Sequence, residues 1–111
     1  MARTESKFIS GISELVVLRL LARQEMYGYE LAKAIVATSG NELRMGEGLL
    51  YPLLHLLESQ GVLHSRRRMV SGRPRIYYRL SAKGERRLER LTTRWRGISK
   101  AVEAVLEPTG G

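Results

Sequence analysis

The 111-residue sequence has no cysteine, no aspartate and only two histidines, His55 and His64. Without cysteine there are no disulfides and no thiolate metal sites. Two histidines and glutamates alone supply neither a Ser-His-Asp triad nor the usual acid pair, and they make no convincing metal site. Neither catalysis, a metal nor any other cofactor is expected. No apolar run approaches the length of a membrane span. The apolar stretch after Arg3 and Lys7 is broken by Glu14 and Arg19, which makes a poor signal peptide. A cytoplasmic protein with no membrane partner is the expectation.

Acid is scarce where base is dense. The net charge is +8, and between Ser59 and Gly84 there is no acid at all, while Arg66, Arg67, Arg68, Arg73, Arg75, Arg79 and Lys83 fall in that stretch. A surface that is merely solvated mixes its signs. A segment of one sign points to a polyanion, and arginine favours bidentate contact with phosphate.

The apolar pattern divides the chain into elements. Residues 1–7 read as a loose basic arm. Ile12, Leu15, Val16, Leu18, Leu20 and Leu21 predict a first helix from about Gly11 to Gln24, apolar on more than one face and therefore buried on two sides. A second helix covers about Tyr27 to Thr38 and is stopped by Ser39-Gly40-Asn41. Glu42 to Met45 reads as a short strand or extended link. A third helix spans about Glu47 to Gln60, with Leu50, Leu53, Leu54 and Leu57 on one face and Gly61 beyond its end. Val62 to Met69 and Arg75 to Leu80 alternate as two strands around a turn at Val70–Pro74. Pro74 is tolerable only at an edge or turn position. Ser81 is a plausible N-cap for a final helix from Ala82 to about Leu106, ended by Glu107-Pro108. Leu88, Leu91, Trp95, Ile98, Val102 and Val105 follow at intervals of 3, 4, 3, 4 and 3, an a/d seam of the kind that joins two helices. The order α-α-α-β-β-α gives an α+β fold, mostly α, in the arrangement of a winged helix-turn-helix. Residues 1–80 would form the nucleic-acid-binding domain with its arm. Residues 81–111 would form a dimerisation helix and a tail.

Three stretches carry a family resemblance. They are Tyr27-Gly28-Tyr29-Glu30-Leu31, the run from Gly48-Leu49-Leu50-Tyr51-Pro52 to Gly61, and the run from Gly72-Arg73-Pro74-Arg75 to Gly84. In this order and spacing the chain resembles the PadR-like regulators, in register from about Ile12 to Trp95. The single last helix is similar to the short branch of that family. Leu49 stands where the family usually has Thr, and Leu56 where it usually has Arg. The resemblance implies a homodimeric regulator of transcription, a repressor that leaves its operator on binding an effector.

Each constellation then has an expected task. Opposite its leucine face, the third helix presents Gly48, Tyr51, Pro52, His55 and Ser59 to a major groove. Leu49 and Leu56 beside that face either touch a thymine methyl or pack. Arg73 and Arg75 flank the turn of the hairpin. Arg66 and Arg68 share a strand face that Arg67 opposes, so not every arginine can touch one duplex. Tyr77 lies among the basic positions of the second strand. Tyr27, Tyr29 and Lys33 sit near the start of the second helix, within reach of phosphate, although Tyr29 can equally pack on Tyr78. The seam from Leu88 to Val105 would pair two copies and set the spacing on an imperfect palindrome of double-stranded DNA. Gly97, beside the seam, marks either a close approach of the partner or a bend. Trp95 is either a core anchor or a wall for a small apolar or aromatic effector.

Overall fold

The computed structural model describes residues 2–109, with side chains from residue 11 onward. The elements run α1 (Ala2–Arg23), β1 (Met26–Tyr27), α2 (Gly28–Thr38), α3 (Glu47–Ser59), β2 (Leu63–Val70), β3 (Arg73–Leu80) and α4 (Ala82–Leu106). The fold is α+β and mostly helical, as its periodicities predict.

α1 is the central helix. Val17, Leu18, Leu20 and Leu21 are all buried, which explains the absence of a clean polar face. It begins earlier than expected. The stretch read as an arm is helical from Ala2, and Met1 lies outside the described residues. No proline or glycine interrupts residues 2–10, and Gly11 alone costs only about 1 kcal/mol of helix propensity.

α2 ends in two left-handed residues, Gly40 at φ 61° and Asn41 at φ 70°. Such residues turn the chain away from a helix axis. Ser39 Oγ accepts from the Leu43 amide at 2.9 Å and donates to the Val36 carbonyl at 3.2 Å. Residues 42–45 form no strand, and buried Met45 ties this link to the core. α3 then buries Leu50, Leu54 and Leu57. Pro52 lies inside α3. Its ring crowds the carbonyl four residues back, which belongs to exposed Gly48.

The strands form an antiparallel sheet in the order β1-β3-β2. β2 and β3 pair from Leu63↔Leu80 to Val70↔Arg73. Ser71 (φ 52°) and Gly72 (φ 77°) close them, the two positive φ values of a type I′ hairpin. β3 is therefore two residues longer than alternation suggested, β2 keeps its length but is shifted by one residue toward the turn, and the turn is shorter. Arg73 and Pro74 belong to β3. Pro74 is tolerated because narrow and wide pairs alternate from the turn. This directs its nitrogen away from β2, toward an edge that β1 does not reach. β1 pairs only with Tyr77 and Tyr78. Two residues show no periodicity, so this strand is invisible in the sequence.

α4 starts inside the core and leaves it. Ser81 is the N-cap, accepting from the Gly84 amide at 3.0 Å and donating to the Gly61 carbonyl at 2.5 Å. Gly84 lies against the Val62 carbonyl oxygen, where a Cβ would not fit. Lys83 Nζ donates to the Gln60 carbonyl at 2.7 Å, and Arg87 donates to Gln60 Oε1 at 2.9 Å. Arg87 also pairs with Glu14 of α1 at 2.6 Å. These contacts lock the end of α3 to the start of α4. Past Leu91 the apolar positions of α4 emerge, with Trp95, Ile98, Val102, Val105 and Leu106 all exposed. The Cα radius of gyration is 16.0 Å, above the roughly 13 Å of a compact domain of this length. The protruding helix contributes to the excess.

Candidate nucleic-acid interface

Residues opposite each other across a ladder share a face. The pairs His64↔Arg79, Arg66↔Tyr77, Arg68↔Arg75 and Val70↔Arg73 therefore put five of the hairpin's six arginines on one side. Arg67 takes the other side with Met69 and Ile76. Alternation had separated Arg67 from its neighbours; the register adds that β3 contributes its three arginines to the same face as Arg66 and Arg68.

Like charges directly opposite repel, and aromatic rings are interleaved here. The Arg68 guanidinium lies 4.5 Å from the centre of the Tyr77 ring, and that of Arg75 lies 4.4 Å from Tyr27. A ring face attracts a cation, so each arginine is held without losing its charge. Tyr27 meets Tyr77 edge to face at 5.4 Å and stacks on Tyr29 at 6.4 Å. Lys33 Nζ stands 5.4 Å from the Tyr29 ring. A continuous ridge of cations and rings thus joins the start of α2 to the wing. β1 makes it continuous, because its pairing brings Tyr27 onto β3.

One acid enters this face. Glu25, between α1 and β1, accepts from Arg66 Nε at 2.9 Å and Nη2 at 2.6 Å. Arg68 approaches the same carboxylate at 4.0 Å. The hydrogen bonds from Arg66 hold the Glu25 carboxyl below its ordinary value and raise the Arg66 guanidinium in turn. Sequence reasoning missed Glu25. The pair is separated by 41 positions, and nothing local marks this glutamate out.

Most of the residues expected at the interface are open to solvent. Tyr29, Lys33, Gly48, Pro52, His55, Arg66, Arg68 and Arg73 are exposed, and Arg75 is half-buried with its guanidinium against the Tyr27 ring. Four positions need correction. Tyr77 is buried, because Tyr27 and Arg68 cover it; it is a platform, not a contact. Tyr51 turns inward, since Gly28 leaves a space its ring fills, with Cε1 only 2.5 Å from where a Cβ would stand. Leu88, assigned to the seam, belongs to the core, and Leu91 packs against that core. Tyr29 does not share the core with Tyr78. That second phenol is buried, and burial pushes its pKa up.

α3 shows Leu49 and Leu56 to solvent beside Gly48, Pro52, His55 and Ser59. Its N-cap is Gly46, with no side-chain cap, so its first amides are open to an anion. Among the described residues no group of three or more His, Cys, Asp or Glu gathers to hold a metal. No helix among them is long and apolar enough to cross a membrane.

An arginine-faced hairpin placed after three helices defines a winged helix-turn-helix. The match to the PadR-like transcriptional regulator family over residues 17–90 is specific enough to place it further: the chain belongs to that family. It is a transcriptional regulator rather than an enzyme. It is 38% identical over 78 residues to a transcriptional regulator of Mycobacterium tuberculosis, covering 70% of each chain. Its structure resembles that of a transcriptional regulator from Clostridium thermocellum, with TM-score 0.84, 25% identity and coverage of 92% of this chain and 100% of the other. A PadR family regulator from Eggerthella lenta superimposes with TM-score 0.77 at 33% identity, over 98% of this chain and 90% of its own.

Proposed function

We propose that this chain is a homodimeric, cytoplasmic repressor that binds an imperfect palindrome in double-stranded DNA and is released by a small apolar or aromatic effector. The observation that carries the reading is the grouping of Arg66, Arg68, Arg73, Arg75 and Arg79 on one hairpin face, next to an α3 whose outer side is free. Phosphate contacts from the wing and from Tyr29 and Lys33 would fix the register, and α3 would enter the major groove. The dimer is supported by the exposed seam of Trp95, Ile98, Val102 and Val105, an apolar strip that a second copy can cover. α4 would thus act as a dimerisation unit whose first turns also complete the DNA-binding domain. Pairing along it would set two α3 helices on half-sites about 34 Å apart. Two hollows of about 440 and 290 Å³ flank Trp95, which supports an effector at that residue.

A gel shift against DNA upstream of the chain's own coding region, titrated with salt, tests the reading. Retardation should fall with salt. Arg73→Ala and Arg75→Ala should weaken all sequences alike, each lowering the log–log slope by about 0.9. No retardation, or a slope that ignores both substitutions, would refute it.

A further inference from the structure

The outward stripe of α3 consists of Gly48, Leu49, Pro52, His55, Leu56 and Ser59. Its chemistry is unusual for a face beside so much positive charge. Leu49 is 40% and Leu56 is 52% exposed, so neither is a core residue of the protomer. Ser59 Oγ donates to the Leu56 carbonyl at 2.7 Å, which engages its proton locally. The stripe has no arginine or lysine to read guanine, and no asparagine or glutamine to read adenine. His55 is its one nitrogen-bearing side chain, and Glu47 at the helix start can only accept, from the amino group of a cytosine or an adenine.

The major groove has one apolar mark, the C5 methyl of thymine. A surface that is apolar at its centre and cationic around it complements a duplex better than it does an apolar protein face. We infer that α3 reads thymine methyl groups, with Leu49 against one and Leu56 against another. This rests on the DNA-binding reading above and specifies what that site selects. The two leucines are separated by two turns, about 10.5 Å along the axis. That matches about three base-pair steps of roughly 3.4 Å. Each half-site should carry its two selected thymines at about that separation.

The experiment starts from a pool of random-sequence duplexes, selected on the full chain. A retained duplex is then resynthesised with deoxyuridine in place of thymine, one position at a time. The exchange removes a methyl and keeps every hydrogen-bonding group. Uridine at the selected positions should weaken binding about 3- to 5-fold each, the scale of one buried methyl. The double variant Leu49→Ala/Leu56→Ala should bind thymine and uridine duplexes equally, with an unchanged melting temperature because both side chains are exposed. Retained binding that is indifferent to complete uridine replacement would overturn this inference and leave DNA binding intact. So would uridine sensitivity that persists in the double variant, since the methyl would then act through another residue or through DNA shape. Failure to retain any duplex would overturn the underlying reading as well.

Discussion

Two glycines of α4 occupy the same helix and make opposite predictions. At Gly84 an added Cβ would press into the Val62 carbonyl oxygen and stand 3.2 Å from Leu80 Cγ. The neighbour that must yield is backbone, and it is already engaged. The Val62 carbonyl accepts from the Ser81 amide at 3.1 Å and from Ser81 Oγ at 3.0 Å. Gly84→Ala would push the first turn of α4 off β2 and strain the Ser81 cap. Overpacking costs about 1–3 kcal/mol and a lost N-cap about 1 kcal/mol. The better helix propensity of alanine returns about 1 kcal/mol. The net loss is therefore about 1–3 kcal/mol, which for a chain of this size lowers the melting temperature by roughly 5–15 °C. Gly97 has nothing within 4 Å of its would-be Cβ. Gly97→Ala should raise the melting temperature by a few degrees, from about 1 kcal/mol of propensity. Thermal circular dichroism at one fixed protomer concentration measures both, since association itself shifts the midpoint. A Gly84→Ala protein that melts within about 2 °C of the wild type would refute the packing argument. A destabilised Gly97→Ala protein would show that another copy of α4 approaches there.

Further outcomes follow from the wing and the seam. Glu25→Gln removes the acid that engages Arg66 and Arg68, so DNA binding should strengthen at low salt and its salt slope steepen by about one. Weaker binding at every salt would instead mean that Glu25 holds Arg66 in a productive position. The folded-state pKa of Glu25 is depressed, so its contribution to stability is present above the ordinary carboxylate range. That contribution is lost as pH falls through the lowered value, and the Glu25→Gln protein should lack this acid limb in pH-dependent melts. The double substitution Ile98→Glu/Val102→Glu places charge on the exposed seam without touching the core. It should reduce the mass seen by sedimentation equilibrium to that of one chain while the circular dichroism spectrum stays the same. An unchanged mass would refute α4 as the dimer element.

Much of this was legible in the sequence where one element declares its own periodicity. The leucines of α3, the terminator at Ser39-Gly40-Asn41 and the alternation of β3 each report a local geometry. The misplacements arise where a distant residue decides. Tyr77 does lie on the basic face, as alternation requires, but β1 covers that face from about fifty positions away. Tyr51 lies on the outer arc of α3 by spacing alone, yet the missing Cβ of Gly28 draws it inward. A heptad seam looks the same whether it meets its own domain or a second copy. Leu88 does the first, and only the packed fold shows that the helix leaves its own domain past Leu91. Glu25 escaped for the same reason, because its meaning depends on Arg66.

The sheet has two unprotected margins. β2 pairs on one side only, and β3 is unpaired on its outer side from Arg73 to Ile76, beyond the reach of β1. Bare strand margins invite edge-to-edge zippering with another chain. Arg66, Arg67 and Arg68 on one margin, and Arg73, Pro74 and Arg75 on the other, oppose this by charge repulsion and by the missing amide hydrogen. Two-fold assembly would double the exposed margins, and repeated pairing between such particles would grow without closing. On the reading proposed above, the arginines of the wing would guard solubility as well as grip phosphate. Neutralising several at once should give a protein that scatters light before it loses its helices.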